Sequence, residues 1–169
     1  MKLNVGSSVP RGRYKTDPDW VNFDLVKLKR INVVGDMVHL PFRDNSFDEI
    51  HCIHVLEHLT REKQAPVIKE LKRVSKPGCP VYIEVPDFEK VCKLFLEELE
   101  KGNLEQARIW TVSVYGKSER KGMAHHWGFT KQFLSKLLQS CGFTTVEFPT
   151  EMISNHYKQE PVILSKSHE

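Results

Sequence analysis

Apolar and polar positions along the chain repeat with two periods, and the two alternate from one end to the other. The short runs KLNV (2–5), WVNFD (20–24), INVVG (31–35), DEIHCI (48–53) and VYIEV (81–85) are rich in β-formers, bounded by Gly, Pro, Asn or Asp, and read as strands. Helical spacing appears between and after them. Val67, Ile68, Leu71 and Val74 form one apolar stripe that stops at KPG (76–78). Phe88, Val91, Leu94, Phe95 and Leu99 form a second, behind Asp87 as the expected N-cap and closed by Gly102. Phe133, Leu134, Leu137, Leu138 and Cys141 form a third between Thr130 and Gly142, and FTTVEF (143–148) and PVILS (161–165) predict the last strands. Strands alternating with helices of this size predict an α/β fold, a doubly wound and mainly parallel sheet. The longest irregular stretch is YGKSERKGMAHHWGF (115–129), of a length expected of a lid or binding loop.

An open parallel sheet binds ligands at the carboxyl ends of its strands, near the point where strand order reverses. The residues just past each predicted strand are therefore informative. After KLNV comes Gly6, which permits close backbone approach, then Ser7 and Ser8 with hydroxyls and N–H groups. WVNFD ends in Asp24, whose carboxylate can accept both hydroxyls of a ribose. After INVVG come Asp36, able to accept from an amino group such as that of adenine, and Met37, which can lie against a flat ring; DEIHCI delivers His54. Each has a structural alternative: a turn glycine at 6, turn caps at 24 and 36, core filling at 37. Their joint placement on one rim is the stronger signal.

The five residues HVLEH (54–58) fit H-x-x-E-H, the pattern of the inverted zinc peptidases. That chemistry needs one regular helix with His54 and His58 on the same side and a third ligand from elsewhere. Here His54 ends a predicted strand, so no metal is expected and a zinc peptidase is the least favoured reading. The 169 residues, 40% of them hydrophobic, suffice for one core and so for a single domain over 1–169. A net charge of +3 is too mild to argue for a nucleic-acid partner. Cys52, Cys79, Cys92 and Cys141 show no C-x-x-C pairing, and neither a signal-peptide core nor a bilayer-length apolar run is found. The expectation is a cytoplasmic protein without a membrane partner.

In order along the chain, KLNVGSS, WVNFD, VVGDMVHLPFRDNSFDEIHCIHVLEHL, ELKRVSKPGCPVYIEVPDF and HHWGFTKQFLSKLLQSCGF resemble the landmarks of class I S-adenosylmethionine-dependent methyltransferases. The likeness runs over residues 2–148 and is nearest to the type 11 superfamily, in its small bacterial branch found beside cell-surface polysaccharide enzymes. The resemblance implies a Rossmann-like sheet of about seven strands, S-adenosyl-L-methionine as cofactor and methyl transfer to a nucleophile. It implies that Gly6 and Ser7 line the methionine portion, that Asp24 takes the ribose, that Asp36 and Met37 take the adenine, and that His54 closes the pocket. This chain departs from the pattern at Ser8, where a second glycine is usual. Pro10, Gly12 and Pro18 also leave little room for a helix in the first crossover, which is expected to be a shortened loop. The chain starts at its first strand, so a roof over the site is expected from 115–129 or from another subunit.

Methyl transfer from a sulfonium is an in-line displacement that requires placement of the acceptor, and a base only when the acceptor carries a proton near neutral pH. His54, His58, His125 and His126 are the candidate bases. Glu57 reads as a cap or a partner of a loop amide. Lys117, Arg120 and Lys121, with Arg11, Arg13 and Lys15, suit an anionic or sugar-containing small-molecule substrate or simply a solvated surface. A homo-oligomer is compatible with the pattern. The second class of function is a cofactor-binding remnant of the fold that modulates a partner without turnover.

Overall fold

The computed structural model describes residues 1–7, 17–117, 122–150 and 162–168. Seven strands, β1 (Lys2–Val5), β2 (Trp20–Asp24), β3 (Val33–Val34), β4 (Glu49–Ile53), β5 (Val81–Pro86), β6 (Thr145–Glu147) and β7 (Val162–His168), form one sheet in the order β3-β2-β1-β4-β5-β7-β6. Strands β1 to β5 run parallel to one another, and β7 runs antiparallel to both β5 and β6. The helices are α1 (Arg61–Val74), α2 (Phe88–Glu100), α3 (Leu104–Tyr115) and α4 (Lys131–Ser140), with a 3-10 turn at Leu56–His58.

Strand alternation divides the sheet chemically. One face carries Leu3, Val5, Phe23, Ile50, Cys52, Val81, Ile83 and Val85, all fully buried and packed with Val67, Ile68, Leu71 and Val74 of α1 and Leu134 and Leu138 of α4. Each such aliphatic side chain contributes roughly 1.5–3 kcal/mol by leaving water. The other face is polar and aromatic. There His51 is buried, meets Trp20 and Tyr82 edge-on at 4.6 and 5.0 Å between ring centroids, and pairs with Glu49 at 2.7 Å.

The pattern-based elements form with local adjustments. Strand β3 is two residues long where 31–35 was expected, β6 covers 145–147 within 143–148, and β7 extends to His168, beyond the expected end at 165. The Asp87 cap accepts from Lys90 N–H at 3.1 Å and the Thr130 cap from Phe133 N–H at 3.2 Å. Helix α3 is an element the apolar spacing did not announce. Its start is nevertheless encoded by Asn103, whose side chain accepts from Gln106 N–H at 3.4 Å. The first crossover, residues 8–16, lies outside the described residues. No helix among the described residues is long and apolar enough to cross a membrane.

Candidate active site at the strand ends

The sheet register sets the site. Val5 lies opposite both Phe23 and Cys52, and Asp24 opposite Val34, so the parallel strands β1 to β4 finish side by side. Gly6, Asp24, Asp36 and His54 therefore stand along one carboxyl rim. Central β1 is flanked by β2 on one side and β4 on the other, and the order reverses there.

Gly6 has a φ of 66°, and a Cβ at that position would lie 2.3 Å from Cγ2 of Val55. Glycine is thus required by backbone conformation and by the close approach of the segment after β4. Ser7 is held in place: its N–H donates to Phe23 O at 3.1 Å, and its hydroxyl joins a network with the buried Asn4 and Asn22. The N–H of Ser7 is thus engaged by the end of β2, and the residue's contribution to the rim is to brace the turn. Ser8 lies outside the described residues.

Asp24 and Asp36 each close a turn, accepting from Val26 N–H at 2.9 Å and Val38 N–H at 3.1 Å. Capping fixes the carboxylate without consuming its acceptor capacity, because two oxygens offer about four lone-pair sites. Asp36 is exposed, with Lys63 Nζ 3.8 Å from its second oxygen, and Met37 packs half-buried against the core edge. The loop from β3 to β4 that carries both is clasped by Arg73 of α1. That guanidinium binds Glu70 at 2.7 and 2.8 Å, Asp44 at 2.6 Å, and the carbonyls of Leu40 and Phe42.

HVLEH is not one helix. His54 N–H donates to Glu84 O at 2.8 Å, extending the β4–β5 ladder by one residue, and its φ of 53° turns the chain before the 3-10 turn begins. Its imidazole lies between two buried carboxylates, Nδ1 3.1 Å from Glu57 Oε1 and Nε2 3.3 Å from Glu84 Oε1. Burial alone would push the imidazole toward its neutral form. Hydrogen bonds to Glu57 and Glu84, with their charges, outweigh burial and raise the pKa to about 9. His54 is therefore a cation at neutral pH and poorly suited to act as a base. Glu57 does not cap a helix; it anchors this imidazolium. Glu84, a fully buried carboxylate inside VYIEVP, was not singled out as a site residue, although a charge in an apolar strand is itself a signal.

The segment after α3 folds back over the 3-10 turn. Gly116 pairs with Ala124, His126 N–H donates to Glu57 O at 2.7 Å, and Phe88 N–H donates to Phe129 O at 3.0 Å. His58 and His125 come together with ring centroids 4.9 Å apart. Nδ1 of His58 lies 3.0 Å from Ala124 O and Nδ1 of His125 lies 2.9 Å from Ser113 O. A carbonyl only accepts, so both Nδ1 atoms carry hydrogen, and the neutral form of each ring has its lone pair on Nε2. His126 is exposed and adds only its backbone to this arrangement. Of the basic residues expected to draw an anionic substrate, Lys117 is described; Arg11, Arg13, Lys15, Arg120 and Lys121 lie outside the described residues.

The strand order with an antiparallel β7 is that of the class I methyltransferase fold, and a glycine turn and acidic strand ends stand at its carboxyl rim. Residues 13–83 match the type 11 family model described as "Methyltransferase domain", and over that stretch the chain is similar to the family. An uncharacterized methyltransferase of Schizosaccharomyces pombe is 31% identical over 66% of this chain and 39% of its own length. A SAM-dependent methyltransferase from Thermotoga maritima superposes with a TM-score of 0.62 at 17% identity, covering 100% of this chain and 82% of that one. The 1,6-didemethyltoxoflavin-N1-methyltransferase of Burkholderia thailandensis, solved with S-adenosylhomocysteine, gives 0.64 at 14% identity over 99% and 70%. These two share the fold. The chain spans between 12% and 55% of the length of the curated relatives it matches.

S-adenosylmethionine is the cofactor of the family, and the donor set at the rim suits it. Asp24 and Asp36 bring carboxylates to this rim, Met37 brings a thioether, and Gly6 leaves the central turn without a side chain.

Proposed function

We propose that the chain transfers the methyl group of S-adenosylmethionine to a small-molecule acceptor bearing a hydroxyl, of which a saccharide is the prime example. The observation that supports this reading is the pairing of His58 and His125, each with Nε2 as its basic nitrogen, one turn beyond the end of β4. When bound, the cofactor supplies an activated methyl carbon on a sulfonium. Gly6, Asp24, Asp36 and Met37 hold its adenosine and methionine parts along β1 to β3. His54, clamped by Glu57 and Glu84, keeps the turn after β4 in place. The cofactor would supply the methyl carbon and keep the electron pair of the broken carbon–sulfur bond on sulfur, while Nε2 of His58 or His125 would take the proton of the acceptor hydroxyl.

Thermal-shift titration with the cofactor and with its demethylated product tests the reading. A ligand at 100 times its Kd stabilises the native state by about 2.7 kcal/mol, an expected rise of about 5–10 °C for a domain of this size. Asp36→Ala should abolish the rise and His58→Ala should largely spare it. Transfer of labelled methyl to a panel of sugars and sugar nucleotides then gives turnover that His58→Ala and His125→Ala lower. Absence of any shift overturns the reading; a shift without turnover on the panel overturns the acceptor class.

A further inference from the structure

We infer that Glu57, His58 and His125 form a binding site for a divalent transition-metal ion of the zinc type, beside the methyl-transfer rim. This departs from the metal-free pocket expected of the sequence and assigns HVLEH a new division of labour.

In the zinc-peptidase pattern His54 and His58 would be the ligand pair. In the structure the clamp of Glu57 and Glu84 engages His54, and a different trio converges. Glu57, His58 and His125 each bring a potential ligand atom into a group whose members all lie within 4.8 Å of one another. Zinc takes such donors at about 2.0–2.2 Å, so the trio has to draw in by only about 1 Å.

Three features separate this group from a chance meeting of polar side chains. First, both histidines donate Nδ1–H to a backbone carbonyl, Ala124 O for one and Ser113 O for the other. That outer bond fixes the tautomer with its lone pair on Nε2 and orients the ring, as it does for histidines that bind metals. Second, Glu57 is 1% exposed, its Oε1 is held by His54, and its Oε2 is buried with no hydrogen-bond partner among the described residues. A buried carboxylate oxygen left this way carries a free-energy cost that a cation removes. Third, the three residues are positioned independently. Glu57 and His58 sit on the 3-10 turn after β4, whereas His125 arrives from the segment beyond α3, held by His125 N–H to Tyr115 O at 3.0 Å and by the Gly116–Ala124 bridge.

Two imidazoles and one carboxylate leave room for water or an acceptor in the remaining positions, the open arrangement of reactive zinc sites. With the ion bound, Nε2 of His58 and of His125 is occupied, so their service as base belongs to the ion-free chain; the alternative, an acceptor hydroxyl made more acidic by the ion, rests on the proposed function, whereas the binding of the ion does not.

Calorimetric titration of the chelator-stripped chain with Zn²⁺, and the visible absorption of the chain loaded with Co²⁺, test the site. One ion per chain is expected, with the Co²⁺ spectrum showing nitrogen and oxygen ligation in a site of low coordination number. Glu57→Gln and His125→Ala should each weaken Zn²⁺ binding by about 100-fold, while His39→Ala, a change at an exposed histidine elsewhere, should leave it unaltered. Circular dichroism verifies that each variant is folded, and the isosteric Glu57→Gln guards against His125→Ala failing for structural reasons. Zn²⁺ bound no more tightly by the parent chain than by folded Glu57→Gln overturns the inference, as does binding that follows His39. The stripped chain's thermal shift with S-adenosylmethionine reports separately on the methyltransferase reading, so either can fail alone.

Discussion

Gly6 is where backbone and side-chain constraints coincide. A left-handed φ costs a non-glycine residue roughly 1–2 kcal/mol, and forcing a methyl into packed space adds roughly 1–3 kcal/mol. Gly6→Ala should therefore destabilise the fold by about 3 kcal/mol in urea denaturation. Because the obstruction is the Val55 side chain, Gly6→Ala combined with Val55→Ala should cost less than the two single changes added together. Strict additivity would show that the two residues do not press on each other. His54 makes a second residue-scale prediction, one of pH. Its folded pKa, about 9, stands above the ordinary imidazole value of 6.5. A raised pKa means the folded state holds the proton more tightly. The stabilisation is thus complete below about pH 6.5 and disappears as pH climbs through about 9, to a total of up to about 3 kcal/mol. Urea midpoints measured from pH 6 to 10 should fall across that window in the parent chain and be flatter in His54→Asn. Parallel profiles would show that the clamp does not hold the proton.

Among elements, the segment after α3 has the most consequence for chemistry, and it depends on one glycine. Gly116 combines φ 69° with ψ −163°, a region essentially reserved for glycine, and a Cβ there would lie 2.2 Å from Met123 O and 2.7 Å from the His125 ring. Gly116→Ala should break the pairing with Ala124, displace His125 from His58, and lower methyl transfer by about 100-fold, the scale of loss from misplacing a catalytic group by an ångström. The cofactor's thermal shift should survive, since the strand ends are untouched; loss of both together would assign Gly116 to the core of the fold instead. This element was the least legible in the sequence. β1 and β2 were readable because glycine, asparagine and aspartate punctuate them, and α2 and α4 because their caps and apolar stripes agree. Helix α3 presents Leu104, Ile109, Val112 and Tyr115 to solvent, so its apolar positions do not describe a buried face, and only Asn103 with Gln106 marks its start. The Glu57–His58–His125 group was invisible for another reason. His58 meets Ala124 across 66 residues, a separation over which no local period carries information.

At the scale of the molecule, the sheet gathers function at one end. The rim made by β1, β2, β3 and β4 was legible because it needs only parallel strands and the residue just past each. The opposite end, β5–β7–β6, joins through antiparallel pairs, and its contribution to the site is Glu84 of β5, which holds His54. β3, just two residues long at the sheet edge, has few ladder bonds to protect it. A ligand that spans Gly6, Asp24 and Asp36 supplies the missing constraint there, because binding suppresses the local openings through which backbone amides exchange. Adding S-adenosylmethionine should therefore slow amide hydrogen exchange strongly in residues 22–37 and around His54. Exchange in 145–147 and 162–168 should change little beyond the uniform gain in global stability. In Asp36→Ala the slowing at 22–37 should vanish while exchange at 145–147 and 162–168 keeps its parent rate. Protection concentrated on β6 and β7, or a response in 22–37 untouched by removing the Asp36 carboxylate, would place the cofactor elsewhere and sever the link between this rim and methyl transfer.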